Sequence, residues 1–157
     1  MNAPLKVTPA PVRKSIVVQA PPARAFEVFT AHMGAWWPKS HHIAPAEMAE
    51  VIIEPRLGGR WYEKGVDGSE CDWGKVLAWT PPLRVALSWH LNSKFQIDGS
   101  VESIVEVQFI TDDENATRVE LEHRITSADA EDIRAAVDAP NGWTTLLGLY
   151  AETANGA

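Results

Sequence analysis

Apolar and polar residues alternate through most of the middle of the chain, and that alternation predicts strands. Over 117–125, Val119, Leu121, His123 and Ile125 share one face while Arg118, Glu120, Glu122 and Arg124 share the other. Over 101–110, Val101, Val105, Val107 and Phe109 are in phase. Over 83–91, Leu83, Val85, Leu87 and Trp89 alternate with Arg84, Ala86, Ser88 and His90. One covered face and one wet face is the signature of an antiparallel sheet. Shorter strands are predicted over 50–54, 60–64 and 71–79, separated by Gly58-Gly59 and by Asp67-Gly68, a hairpin-type turn. The β-branched run Ile16-Val17-Val18 adds a first strand over 14–19.

The period changes to that of a helix in three places. Phe26, Phe29 and Met33 are spaced by three and four after Pro21-Pro22, with Gly34 as the expected stop. A short helical stretch covers 128–137, and Pro140 interrupts it. Asn141 is then a plausible N-cap for a last helix to about Thr153, with Trp143, Leu146, Leu147 and Tyr150 on one stripe. The apolar face of the sheet must be covered, and this last helix is the long element left to do it. A curved sheet wrapped on one helix leaves a hollow suited to a ligand.

Composition narrows the classes. The 157 residues make one domain, and 45% apolar with 22% charged residues is a globular composition. Residues 1–12, with Pro4, Pro9 and Pro11, read as a disordered tail, and 13–157 as a single domain. The net charge is 14 − 21 = −7, with no basic run, which argues against nucleic acid and against an anionic membrane surface. A single cysteine, Cys71, excludes an internal disulfide and fits a reducing compartment. With no signal-peptide pattern at the N-terminus, the expected location is cytoplasmic.

Seven tryptophans are several times ordinary usage. Either they build a large aromatic core, or some of them line a pocket. Phase puts Trp61 and Trp89 inward, facing Trp143, while Trp73 and Trp79 share a phase with each other. Trp36 and Trp37 fall in a loop, where an extended backbone would turn one ring in and one out. His123 is inward-facing and must be hydrogen-bonded. It reads as a satisfied structural histidine, a polar anchor for a ligand, or a base. Glu63 shares the phase of Trp61 and either pairs with His123 or lies exposed at a strand end. No cofactor motif appears. Gly58-Gly59 lacks the helix and lysine of a phosphate loop, and adjacent His41-His42 cannot easily face one metal ion, so no metal site is assigned.

Several segments together resemble the activators of the ninety-kilodalton heat-shock chaperone ATPase. They are Pro55-Arg56-Leu57-Gly58-Gly59-Arg60-Trp61, Asp67-Gly68, and Gly74-Lys75-Val76-Leu77-Ala78-Trp79-Thr80-Pro81-Pro82. Leu83 to Trp89, Leu121-Glu122-His123 and Gly142-Trp143-Thr144-Thr145-Leu146-Leu147 follow in order. The resemblance spans about Arg13 to Thr153 and implies an α+β helix-grip fold of the START-like, birch-pollen-allergen-like (SRPBCC) superfamily. The expected architecture is a curved antiparallel sheet of about seven strands wrapped on the C-terminal helix, with two short helices after the first strand. That superfamily includes lipid carriers, hormone receptors and polyketide cyclases.

The resulting expectation is a protein that binds a hydrophobic or aromatic small molecule between sheet and helix. The candidate cavity residues are Trp61, Glu63, Trp89, Val105, His123, Trp143 and Tyr150, with Trp36 and Trp37 at the mouth. The alternatives are a co-chaperone-like module docking a chaperone or other protein, and a cyclase- or lyase-like enzyme using His123 with Glu63 or Tyr150.

Overall fold

The computed structural model describes residues 10–156. The tail expected over 1–12 lies, up to residue 9, outside the described residues, and Val12 already opens the first strand. The elements follow in order: β1 (Val12–Val18), α1 (Pro22–Thr30), α2 (Met33–Trp36), a 3-10 turn (Lys39–His41), β2 (Met48–Ile53), β3 (Arg60–Gly65), β4 (Glu70–Thr80), β5 (Arg84–Ser88), β6 (Ser103–Asp113), β7 (Ala116–Ile125), α3 (Ala130–Val137) and α4 (Trp143–Asn155).

The seven strands form one sheet in the order β1-β7-β6-β5-β4-β3-β2, antiparallel throughout. β1 and β2 are its two edges, so α1 and α2 carry the chain from one edge to the other. Register breaks interrupt the β2/β3, β3/β4, β4/β5 and β6/β7 pairings. Each bulge bends its strand and adds twist, which curls the sheet. α4 closes the concave side with Trp143, Leu146, Leu147 and Tyr150 all buried. The Tyr150 hydroxyl donates to the Ala25 carbonyl at 2.8 Å, and Asn155 Oδ1 accepts from the Gln19 amide at 2.7 Å, pinning the helix at two places. This is the α+β helix-grip architecture that the family resemblance implies, with the antiparallel sheet and covering helix that the alternation and the final apolar stripe predict.

The bulges explain one departure from simple alternation. Trp73, Val76 and Trp79 cannot share a face in an unbroken strand, yet Trp73 and Val76 are buried and Trp79 packs edge-on against Phe26 at 5.1 Å. The register skips Trp73 in one pairing and Leu77 in the other, so the phase flips twice along β4. Leu83, expected inward with Val85, belongs instead to the β4–β5 turn and is 58% exposed. Gly34 does not stop a helix but lies inside α2, and the N-cap of α4 is Gly142, with no side-chain cap from Asn141.

Gly74 shows how tightly β4 and β5 meet at the bulge. A Cβ there would lie 1.8 Å from the Ser88 carbonyl oxygen, so only glycine fits. Gly148, on α4, has open space where its Cβ would go. Gly74→Ala should therefore cost about 2 kcal/mol or more as an overpacked, distorted strand. Gly148→Ala should stabilise by about 0.5–1 kcal/mol through helix propensity. Urea unfolding of the two variants checks this; effects of the same sign would contradict the packing described here.

Candidate functional site

Four indoles form a closed circuit in the core. Ring centroids are 6.3 Å apart for Trp37 and Trp61, 5.7 Å for Trp61 and Trp89, 5.6 Å for Trp89 and Trp143, and 6.1 Å from Trp143 back to Trp37. Trp73 joins them, 5.1 Å from Trp37 and 5.4 Å from Trp61. Tilted and edge-on contacts at these distances suit the ring quadrupoles.

Each buried indole N–H needs an acceptor. Trp37 donates to the His41 carbonyl at 3.3 Å, Trp89 to the Leu91 carbonyl at 3.2 Å, and Trp73 to Glu63 Oε1 at 3.1 Å. Trp143 donates to His123 Nδ1 at 3.0 Å. Trp61 Nε1 has no hydrogen-bond partner among the described residues.

The Trp143 contact sets the chemistry of His123. An indole only donates, so Nδ1 is the unprotonated nitrogen and Nε2 carries the hydrogen. Nε2 then donates to Ser103 Oγ at 3.1 Å, and Ser103 Oγ donates onward to the Trp89 carbonyl at 2.7 Å. Both ring nitrogens are thus occupied, and the ring is fully buried. Burial pushes its pKa down from 6.5 to about 3, holding the imidazole neutral.

Glu63 is fully buried and makes no contact of this kind with His123. Besides Trp73, its Oε1 accepts from the backbone amides of Ile43 at 2.6 Å and Ala44 at 3.0 Å. A residue of the third strand thereby ties down the loop ahead of the second. Its Oε2 is buried without a partner among the described residues.

That loop forms one wall of a cavity of about 370 Å³. Trp37, Ser40, His41, His42 and Ile43 line it on this side, Trp89, Leu91 and Phe95 come from the loop after β5, and Val137, Asn141, Gly142, Trp143 and Leu146 come from the α3–α4 junction. His41 Nε2 donates to the Asn141 carbonyl at 3.0 Å, linking two of these walls. His42 Nδ1 donates to the Ala44 carbonyl at 2.6 Å, which leaves Nε2 as the unprotonated nitrogen of the neutral ring.

Of the expected residues, the cavity wall takes in Trp37, Trp89 and Trp143. Trp61, Glu63, Val105, His123 and Tyr150 are buried but lie outside that lining. Trp36 also lies outside it: the ring packs on Phe29 and Tyr150 and its N–H donates to the Val28 carbonyl at 2.9 Å. Neither Trp36 nor Trp37 is exposed: the backbone is helical at Trp36 and becomes extended only at Trp37, so the two rings do not alternate as they would along an extended loop. The sequence reading missed Leu91, Phe95, Ile43, Val137 and Asn141, and weighed His41-His42 only as metal ligands. The available signal for His41-His42 was their place in the short loop that Trp36-Trp37-Pro38 opens. Cys71 is half-buried, and burial together with the charges of Glu63 and Asp72 raises its thiol pKa, which disfavours the nucleophilic thiolate. No described helix is long and apolar enough to cross a membrane.

A curled antiparallel sheet gripping a C-terminal helix, with a cavity where helix, sheet and loops meet, defines the START-like (SRPBCC) class. Within it, the chain belongs to the Activator of Hsp90 ATPase homolog 1-like protein family, whose model matches residues 19–153. Comparison with curated proteins gives no match. Among solved structures, the chain is 38% identical to the anthrahydroquino-gamma-pyrone synthase Txn09 complexed with SUM, covering 92% of this chain and 97% of that one with a TM-score of 0.62. It is 27% identical to CalC, a self-sacrificing resistance protein from Micromonospora echinospora, covering 94% and 95% with a TM-score of 0.69. A protein from Nitrosomonas europaea is 14% identical over 94% and 95% with a TM-score of 0.67, a likeness of fold alone.

The buried imidazole makes stability depend on pH in a defined window. The unfolded histidine protonates near 6.5 and the folded one near 3, so the unfolded chain holds the extra proton between them. Stability is therefore lost as pH falls through this window, by about 1.4 kcal/mol per pH unit from this group. His123→Gln keeps one acceptor for Trp143 and one donor for Ser103 but cannot titrate. Denaturant unfolding between about pH 6 and pH 4.5, above most carboxylate titrations, should show the slope in the wild type and its loss in the variant. Parallel slopes would show that His123 is not the titrating group.

Proposed function

We propose that this protein binds a planar, aromatic small molecule in the cavity walled by Trp37, Trp89, Trp143, Leu91, Phe95 and Leu146. The cavity itself carries the reading: about 370 Å³ lies at the small end of ligand pockets and has room for a bicyclic or tricyclic ring system. Rigid indoles offer flat contact area at little entropic cost. The polar groups are few: Ser40, His41 and His42 on one wall, and Asn141 on the wall that His41 touches. They suit a ring system bearing a hydroxyl or carbonyl. A small molecule is favoured over a docked chaperone or other protein because these aromatics are gathered around a hollow, not spread over an open face.

A second reading is supported by the 38% identity to a synthase. Here the same cavity would convert its ligand, and His42 Nε2, unprotonated in the neutral ring, is the group equipped to take a proton from an aromatic hydroxyl. His123 does not suit that task, since both its nitrogens are engaged. The two readings part on the mass of the bound compound before and after incubation: unchanged for a carrier, altered for an enzyme.

Ile43 gives a direct test, because it is only partly buried and its backbone is held by Glu63 whatever the side chain. Ile43→Trp should fill part of the cavity and weaken binding of 2-naphthol at least about tenfold, about 1.4 kcal/mol, while the melting temperature stays within a few degrees. Isothermal titration reads the affinity. No measurable binding by the wild type would remove the cavity-binding reading, and unchanged binding by the variant would move the ligand elsewhere.

A further inference from the structure

The loop from β5 to β6 contains an unusual backbone conformation. Phe95 has φ +57°, the only positive φ at a non-glycine among the described residues. A bulky side chain rarely adopts this left-handed region, because its Cβ crowds the following carbonyl. Such strain persists only where surrounding bonds over-determine it, and it concentrates at functional sites.

Here the over-determination is visible. Asn92 holds the loop through four hydrogen bonds. Its amide donates to the Gln96 carbonyl at 2.9 Å, and its carbonyl accepts from the Phe95 amide at 2.9 Å. Its Oδ1 accepts from the Lys94 amide at 2.9 Å and the Gln96 amide at 3.0 Å. A Leu91–Ile97 bridge closes the loop's base. Asn or Gly at position 95 would meet the same geometry without strain.

The ring gains little by the usual standard of core packing. Phe95 is 39% exposed, unlike the fully buried Phe29 and Phe109, yet it lines the cavity beside Leu91 and Trp89. A strained backbone, a rigid cross-tied loop and a part-exposed aromatic on the cavity wall point to the same conclusion. We propose that Phe95 is a specificity-determining residue, held in place to meet the flat face of a bound ring. This rests on the aromatic-ligand reading above and refines it: the site selects flat aromatic rings over saturated rings of the same outline.

The test uses 2-naphthol and its saturated counterpart decahydro-2-naphthol, titrated into the wild type and into Phe95→Asn, with melting temperatures measured without ligand. The expected result is a preference for 2-naphthol in the wild type that shrinks about five- to tenfold in the variant, the scale of one aromatic contact. The variant's melting temperature should be equal or higher, since asparagine relieves the left-handed strain. An unchanged preference overturns the assignment of Phe95 and leaves the cavity reading standing. A clear fall in melting temperature also overturns it, because the ring would then be a piece of the core. A wild type that binds neither compound overturns both.

Discussion

Burying five indoles around one point sets the terms for this structure. The aromatic surface strongly favours burial, but each ring brings an N–H that loses water. Four of the five find acceptors: the carbonyls of His41 and Leu91 close by in sequence, and a carboxylate oxygen of Glu63 and a nitrogen of His123 from other strands. Each choice has consequences. Trp143 dictates the tautomer of His123, and His123 in turn orients Ser103 toward the Trp89 carbonyl. Trp37 draws in the 3-10 turn. Glu63 accepts one indole and two loop amides, so the aromatic cluster and the loop before β2 share a single anchor. The cavity wall is therefore built by the same bonds that make the tryptophan cluster tolerable.

Sheet curvature determines where the hollow can lie. The bulges in β4 turn Trp73, Val76 and Trp79 toward the same side, and Gly74 lets β5 approach closely enough for the curl. The helices α1 and α2 then bridge the sheet's edges and fill the concave side near Phe26, Phe29, Trp36 and Tyr150 with solid packing. The start of α4 lies at the other side of this packing, where Gly142 and Asn141 meet the loops. The concave face is therefore packed as core, and the cavity lies beyond it, between the start of α4 and the loops.

The outer face of the same strands follows a different logic. Glu106 on β6 accepts from Arg84 on β5 and from Arg124 on β7, with Arg124 also held by Glu122. Partial burial would raise the Glu106 pKa, but the two guanidinium contacts outweigh it and keep the carboxyl below its usual range. Such wet ion pairs contribute modestly to stability. They keep the sheet's second face charged and solvated, which is why the alternation along β6 and β7 is so regular.

That regularity is what made much of the fold legible from the amino-acid sequence. Val105, Val107 and Phe109, then Val119, Leu121 and His123, alternate because each strand has one dry face, and the 143–150 stripe repeats because a helix packs one side. The same periodicity pointed Trp61, Trp89 and Trp143 inward. It failed where the backbone loses its period. The bulges in β4 reversed the phase between Trp73 and Val76, the turn before β5 exposed Leu83, and the segments holding Trp37, Ile43 and Phe95 have no repeat to read. Hydrogen-bond partners were equally hidden: nothing local joins Glu63 to Ile43 or Trp143 to His123, each pair twenty residues apart. Local period determined which residues face inward. Only tertiary contact decided which of them pack solidly, which satisfy one another, and which are left to line a cavity.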